Sequence, residues 1–151
     1  EFSLCDCQNI YTALSESDIA ACWQFNMFFL FAGLSDALDK AGIKCFGPSA
    51  EASQLEGSKA FTKEVCMSKA VPTAGYERFT EAEAAKKYIR EKNELPIVVK
   101  ADGLAAGKGV VVAQSLDEAC DAVDSILVGN KFGDAGSSLI VEDFLDGKIH
   151  T

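Results

Sequence analysis

Apolar and polar positions alternate along this chain with two distinct periods. In "TEAEAAKKYIREK", Ala82, Ala85, Tyr88 and Ile89 recur at helical spacing. Thr80 stands three residues before Glu83, the spacing at which a hydroxyl and a carboxylate cap a helix start reciprocally. "SLDEACDAVDSIL" repeats that logic, with Ser115 and Glu118 at its start and a stripe of Leu116, Ala119, Cys120, Val123 and Ile126. Between and around these helices lie short β-branched or aromatic runs, "AGYERF", "PIVVKA", "GVVVAQ" and "SLIVEDFL", each predicted as a strand. The second half therefore reads strand, helix, strand, loop, strand, helix, strand, an α/β to α+β unit. Upstream, "GLSDALDKAG" predicts a helix with Leu34, Ala37 and Leu38 on one face. "IKCFG" predicts a short buried strand, and "GPSA" a turn. Two short helices are expected next, at about Ala50 to Leu55 and Ser58 to Ala70. Ser58 caps the second and places Lys59 in its first turn. Residues 1 to 32 give no clear element, and the shift in composition near Gly33 is the clearest boundary.

Composition narrows the function classes. A chain of 151 residues has room for one ordinary domain or two small ones, and 48% hydrophobic residues with ten phenylalanines can fill a core. The formal net charge of -9 argues against a nucleic-acid partner, whose phosphates need a surplus of Lys and Arg. It leaves room for a small pocket in which two lysines dominate locally. The six cysteines form no C-x-x-C pair and the single histidine is His150, so a structural zinc site is not expected and no metal ligand is assigned. Cys45, Cys66 and Cys120 read as small buried hydrophobes in a reducing compartment, the cytoplasm or an organelle. Cys5 and Cys7, separated by one residue, carry no metal or redox reading of weight. The greasiest stretch, Ile19 to Leu34, is interrupted by Gln24 and Asn26, short of the ~18 uninterrupted apolar residues of a membrane span. Acidic Glu16 and Asp18 precede it, where a secretory signal would carry basic residues. A buried core element of a soluble intracellular protein is the expectation.

"VVKADGLAAGKGVVVA" carries the candidate chemistry. Gly103 and Gly107 enclose three residues rather than the four of a P-loop. Lys108 is followed by Gly109 rather than Ser or Thr, and a strand rather than a helix comes next. A dinucleotide fingerprint fails on spacing and on the same missing helix. What remains is a glycine-rich connection between two strands, small and mobile enough to close on phosphate oxygens with its backbone N–H groups. Lys100, on the entering strand, would project its ammonium under the same phosphates.

Three blocks, "GPSAEASQLEGSKAFTKEV", "PIVVKADGLAAGKGVVVA" and "KFGDAGSSLIVEDFLDG", together resemble phosphoribosylamine–glycine ligases, the glycinamide ribonucleotide synthetases, which are ATP-grasp enzymes of purine biosynthesis. The resemblance covers roughly Gly33 to Gly147. It implies an ATP-dependent C–N ligase that joins glycine to 5-phosphoribosylamine through a glycyl phosphate. It also implies a Rossmann-like domain ahead of the ATP-grasp domain. In this chain residues 1–47 would be a divergent remnant of that first domain, 48–72 a helical connector and 73–151 the glycine-loop (lid) subdomain, incomplete. Residue by residue, the resemblance gives Lys59 and Lys100 as phosphate contacts and Gly103, Gly107, Lys108 and Gly109 as the lid. Glu142, Asp143, Phe144 and Leu145 would be the hinge that reads adenine by its backbone, with Val99 and Phe144 flanking the base. ATP, glycine and 5-phosphoribosylamine are the implied partners, with Mg²⁺ or Mn²⁺ held by ligands outside this chain. No nucleic acid, no membrane and no catalytic side chain are implied.

The sequence departs from that family at its ends. The opening glycine-rich motif and "GPEAPL" are absent, and Ile149 in "FLDGKIHT" replaces the acid of "FLDGEEAS" that holds the ribose hydroxyls. The chain is therefore expected to be a fragment of the ligase, inactive alone. The alternative is a non-catalytic nucleotide-binding remnant or interaction module.

Overall fold

The computed structural model describes residues 30–105, 108–129 and 131–147. The expectations for Cys5, Cys7 and Cys22, for most of the apolar run from Ile19, and for Gly107, Ile149 and His150 lie outside them. The chain divides into two compact units, Glu1–Gly57 and Ser58–Thr151.

In the first unit, α1 (Leu34–Lys40) is entered through Gly33 at φ 83°, a left-handed conformation that suits glycine. Leu34 and Leu38 are buried as the stripe predicts, but Ala37 is exposed. Asp36 accepts a 2.8 Å hydrogen bond from Ala50 N and Ser49 Oγ one of 3.0 Å from Ala52 N, and these start α2 (Ala50–Gly57). The strand expected at "IKCFG" is not formed. A strand exists only by pairing, and no described segment of this unit offers Ile43–Phe46 a ladder; an apolar run alone cannot supply one.

The second unit opens with α3 (Lys59–Ser68), where Ser58 Oγ accepts from Phe61 N at 3.1 Å as predicted. There follow β1 (Tyr76–Phe79), α4 (Ala82–Lys92), β2 (Ile97–Ala101), β3 (Val110–Ala113) and α5 (Leu116–Val123). α5 widens into a π-helical turn at Asp124–Val128. A 3₁₀ turn at Gly133–Gly136 then leads to β4 (Leu139–Asp143). Ser115 Oγ accepts from Glu118 N at 3.2 Å, and the Glu118 carboxylate accepts from Gln114 N at 2.8 Å. The matching expectation at Thr80 fails. Glu81 is the N-cap of α4, no side chain caps it, and the Glu83 carboxylate takes Lys86 Nζ at 3.1 Å instead.

The four strands form one sheet in the order β1-β4-β2-β3, with every neighbouring pair antiparallel. The unit is thus mixed helix and antiparallel sheet. Strand alternation turns Ile97, Val99 and Ala101, with Leu139, Val141 and Ala113, toward Ala85 and Ile89 of α4 and Ala119, Ala122 and Val123 of α5, forming the core. Cys66 and Cys120 are half-buried free thiols rather than core residues, as is Cys45 in the first unit. Among the described residues, no helix is long and apolar enough to cross a membrane.

Candidate functional site

The other face of the same sheet carries the polar side chains. By register, Arg78, Ile140, Lys100 and Val110 form one row across all four strands, and Tyr76, Glu142, Val98 and Val112 form the next. Lys100 Nζ donates to Glu142 Oε2 at 2.8 Å, a diagonal pair across β2 and β4. Lys63, from α3, lies 3.5 Å from the same oxygen, donates to Thr73 Oγ1 and Ala74 O, and sits 5.6 Å from the centre of the Tyr76 ring. Glu142 is 6% exposed, so two ammonium groups offset the cost of taking its charge out of water.

Lys59 reaches the same region from the start of α3. Its Nζ donates to Gly103 O at 2.9 Å and Asp102 O at 3.3 Å. Burial pushes its pKa below the ordinary lysine value. The Asp102 carboxylate opposes that shift, the Lys100 charge adds to it, and Glu142 opposes it again. Lys59 and Lys100 therefore act on each other electrostatically beside one loop. With Lys63 and Arg78 they make four cationic side chains around two carboxylates, Asp102 and Glu142, an excess of positive charge that favours an anion.

That loop, residues 102–109, is not helical among its described positions. Ala101 N donates to Gly109 O at 2.8 Å, which carries the β2–β3 ladder one step further, and Lys108 N donates to Ala105 O at 2.8 Å. Gly103 packs against the 133–136 turn: its N–H donates to Ala135 O at 3.2 Å, and a Cβ there would lie 2.6 Å from Ala135 Cα. At Gly109 a Cβ would stand 2.7 Å from Ala105 Cβ. The two end glycines are thus required by close approach. Lys108 lies between them, exposed.

At the far end of β4, Glu142 lies within the ladder and Asp143 N donates to Gly75 O at 2.9 Å. The Asp143 carboxylate takes the Lys92 ammonium, a bond that raises the Lys92 pKa. Phe144 and Leu145 follow the strand and are exposed, and Phe144 lines a cavity of about 170 Å³ with Lys92, Pro96 and Asp143. Val99, expected against a base, is instead fully buried in the helix-packed core. Lys100 faces the opposite side, and only residues an even number of positions away share its face; Val98 is the β2 side chain that accompanies it.

Asp102 escaped the sequence reading. It is 5% exposed and binds residues from three other segments. Oδ1 accepts from Ala60 N at 2.8 Å and Ser58 Oγ at 3.0 Å, while Oδ2 accepts from Ser138 Oγ at 3.0 Å and pairs with Arg78 Nη2 at 3.3 Å. Lys63 escaped as well. Both depend on contacts between distant segments, and no local spacing announces them. Among the described residues no group of three or more His, Cys, Asp or Glu could hold a metal ion.

The family described as "Phosphoribosylglycinamide synthetase, ATP-grasp (A) domain" matches residues 57–151. Over 119 residues, 79% of this chain, the sequence is 58% identical to a phosphoribosylamine–glycine ligase from Pseudomonas syringae pv. tomato, and that stretch is 27% of the relative. The corresponding ligase of Escherichia coli K12 is 57% identical over the same share of this chain and 28% of its own length. The crystal structure of phosphoribosylamine–glycine ligase from Thermotoga maritima aligns with a TM-score of 0.64 at 33% identity. It covers 69% of this chain, which in turn spans 26% of that one. The chain spans just over a quarter of the length of the curated relatives it matches.

Proposed function

Because the chain belongs to the phosphoribosylglycinamide synthetase ATP-grasp family, we propose that its sheet and glycine loop hold ATP for a ligase of purine biosynthesis that joins glycine to 5-phosphoribosylamine. Lys100 and Lys59 meet the triphosphate, and the loop from Gly103 through Gly107 and Lys108 to Gly109 closes over it. The end of β4, Glu142 to Leu145, lies along the adenine edge. The observation that carries this reading is Lys59 Nζ, 2.9 Å from Gly103 O, at the root of the glycine loop that the Lys100-bearing strand enters. With Asp143 N already bonded to Gly75 O, the adenine contacts are assigned chiefly to Phe144 and Leu145.

In the reaction, a glycine carboxylate oxygen attacks the γ-phosphorus, the bond to the β–γ bridging oxygen breaks, and ADP leaves. The amine of 5-phosphoribosylamine then attacks the glycyl carbonyl carbon, and inorganic phosphate leaves as the amide forms. The part played by this chain is positioning and charge neutralisation by the two lysines and the loop N–H groups. The divalent ion that the family implies does not fit the described residues. They contain no ligand cluster, and Glu142 is committed to Lys63 and Lys100. The chain alone is accordingly proposed to bind nucleotide without turnover. Residues 1–47, 48–72 and 73–151 are assigned to the preceding domain, the connector and the lid subdomain, in a protein of the cytoplasm or an organelle.

Calorimetric titration with ATP tests the reading. The chain should bind ATP more tightly than about 1 mM, roughly 4 kcal/mol, and prefer it to GTP. Lys100→Met should remove most of that affinity. Equal affinity in the variant would take Lys100 out of the site, and glycine-dependent ADP release by the chain alone would contradict the absence of turnover.

A further inference from the structure

Lys59 starts a helix that has no acidic residue in its own first turn. The N-terminal N–H groups of a helix need acceptors, and the positive end of the helix dipole favours a carboxylate. Both come from the glycine loop. Lys59 N donates to Asp102 O at 3.2 Å and Ala60 N to Asp102 Oδ1 at 2.8 Å. Phe61 N donates to Ser58 Oγ at 3.1 Å, and Ser58 Oγ donates onward to Asp102 Oδ1 at 3.0 Å. The other carboxylate oxygen is fixed by Ser138 Oγ and Arg78 Nη2, and Asp102 N donates to Ser138 O at 3.0 Å. One buried residue therefore ties the start of α3, the root of the loop, β1 and the approach to β4.

We infer that Asp102 is a positioning residue: it locks the helix start that bears Lys59 to the root of the glycine loop, so that lysine and loop meet a triphosphate as one body. This rests on the nucleotide reading above. Two consequences follow from the geometry. The N-terminus of α3 is already occupied by an internal carboxylate, so the charge of the phosphates falls to Lys59, Lys100 and the loop rather than to the helix end. The Lys59 ammonium also rests on Asp102 O and Gly103 O, so the backbone that Asp102 anchors sets where that ammonium sits.

Amide NMR of the 151-residue chain, titrated with ATP and with AMP, tests this. Asp102→Ala should weaken ATP by about tenfold, the scale of one charge-assisted contact, and leave AMP unchanged because AMP has no β- or γ-phosphate to place. Hydrogen exchange at Ala60 and Gly103 should accelerate together, while the amides of Val99 and Val141 keep their protection. Added to Lys59→Met, Asp102→Ala should cost clearly less ATP affinity than it does alone, since the part of its effect that passes through that lysine is already lost. Should Asp102→Ala not fold, Asp102→Asn keeps one acceptor for Ala60 N but turns an N–H toward Arg78, and should show a smaller loss of the same kind. Unchanged ATP affinity, an equal loss for AMP, or full additivity with Lys59→Met would each overturn the inference while leaving the nucleotide reading in place. If the unsubstituted chain shows no ATP-dependent shifts at Lys59, Lys100 or Gly103, the nucleotide reading falls and takes this role with it.

Discussion

The two faces of the sheet are built from the same strands by alternate residues, yet they obey opposite rules. On the helix-covered face, Ile97, Val99, Leu139 and Val141 are at most 1% exposed and belong to one apolar cluster with residues of α4 and α5. On the other face, Val110 and Val112 are about 40% exposed, while Lys100 and Glu142 are held in an ion-pair cluster with Lys63. The first face needs only volume and apolarity. The second holds charges in place, and it can do so because the first makes the strands rigid. An apolar half and a charge-bearing half thus share one backbone.

The contrast predicts unequal damage. Val99→Asp should unfold the Ser58–Thr151 unit, a loss of about 4 kcal/mol or more, because a lone carboxylate in that core has no partner. Val112→Asp, on the same sheet but turned the other way, should cost under about 1 kcal/mol in urea unfolding. Glu142→Gln should fall between them at about 2 kcal/mol, since it strands two ammonium groups that share one carboxylate; Gln at that position costing nothing would show that the cluster is not held by charge. The smallest effects sharpen the reading of the helix starts. Ser115→Ala should cost about 1 kcal/mol, whereas Thr80→Ala should stay within about 0.3 kcal/mol because Thr80 caps nothing. Equal losses at the two positions would contradict the cap assignment.

Local signals carried the sequence reading a long way. The β-branched runs, the two helical stripes and the caps at Ser58 and Ser115 each depend on neighbours a few residues apart, and each is found. Most of what failed was non-local. Ile43–Phe46 has the composition of a strand but no ladder among the described residues, and β4 inserts between β1 and β2 although it comes last in the chain. Asp102 sits in "KADG", where a turn residue is unremarkable, and its partners are recruited from residues 58, 60, 78 and 138. Val99 lies in the core rather than on the Lys100 face, since a period of two from Lys100 puts Val98 on that face. At Thr80 the spacing was right, but the helix begins too late for it to serve as the cap.

The central claim is that the lysine-bearing face, and not the helix side of the sheet, meets the triphosphate. An ATP γ-acyl phosphate tests it most directly. A lysine amine lying against the phosphates attacks the acyl carbon, the carbon–oxygen bond to phosphate breaks, and ATP leaves. The account predicts acylation of Lys59 or Lys100, found by peptide mass spectrometry and suppressed by excess ATP, with Lys59 favoured because burial lowers its pKa. Acylation confined to Lys86, Lys87 or Lys92 on α4, or labelling of Lys59 and Lys100 that ATP does not suppress, would contradict it.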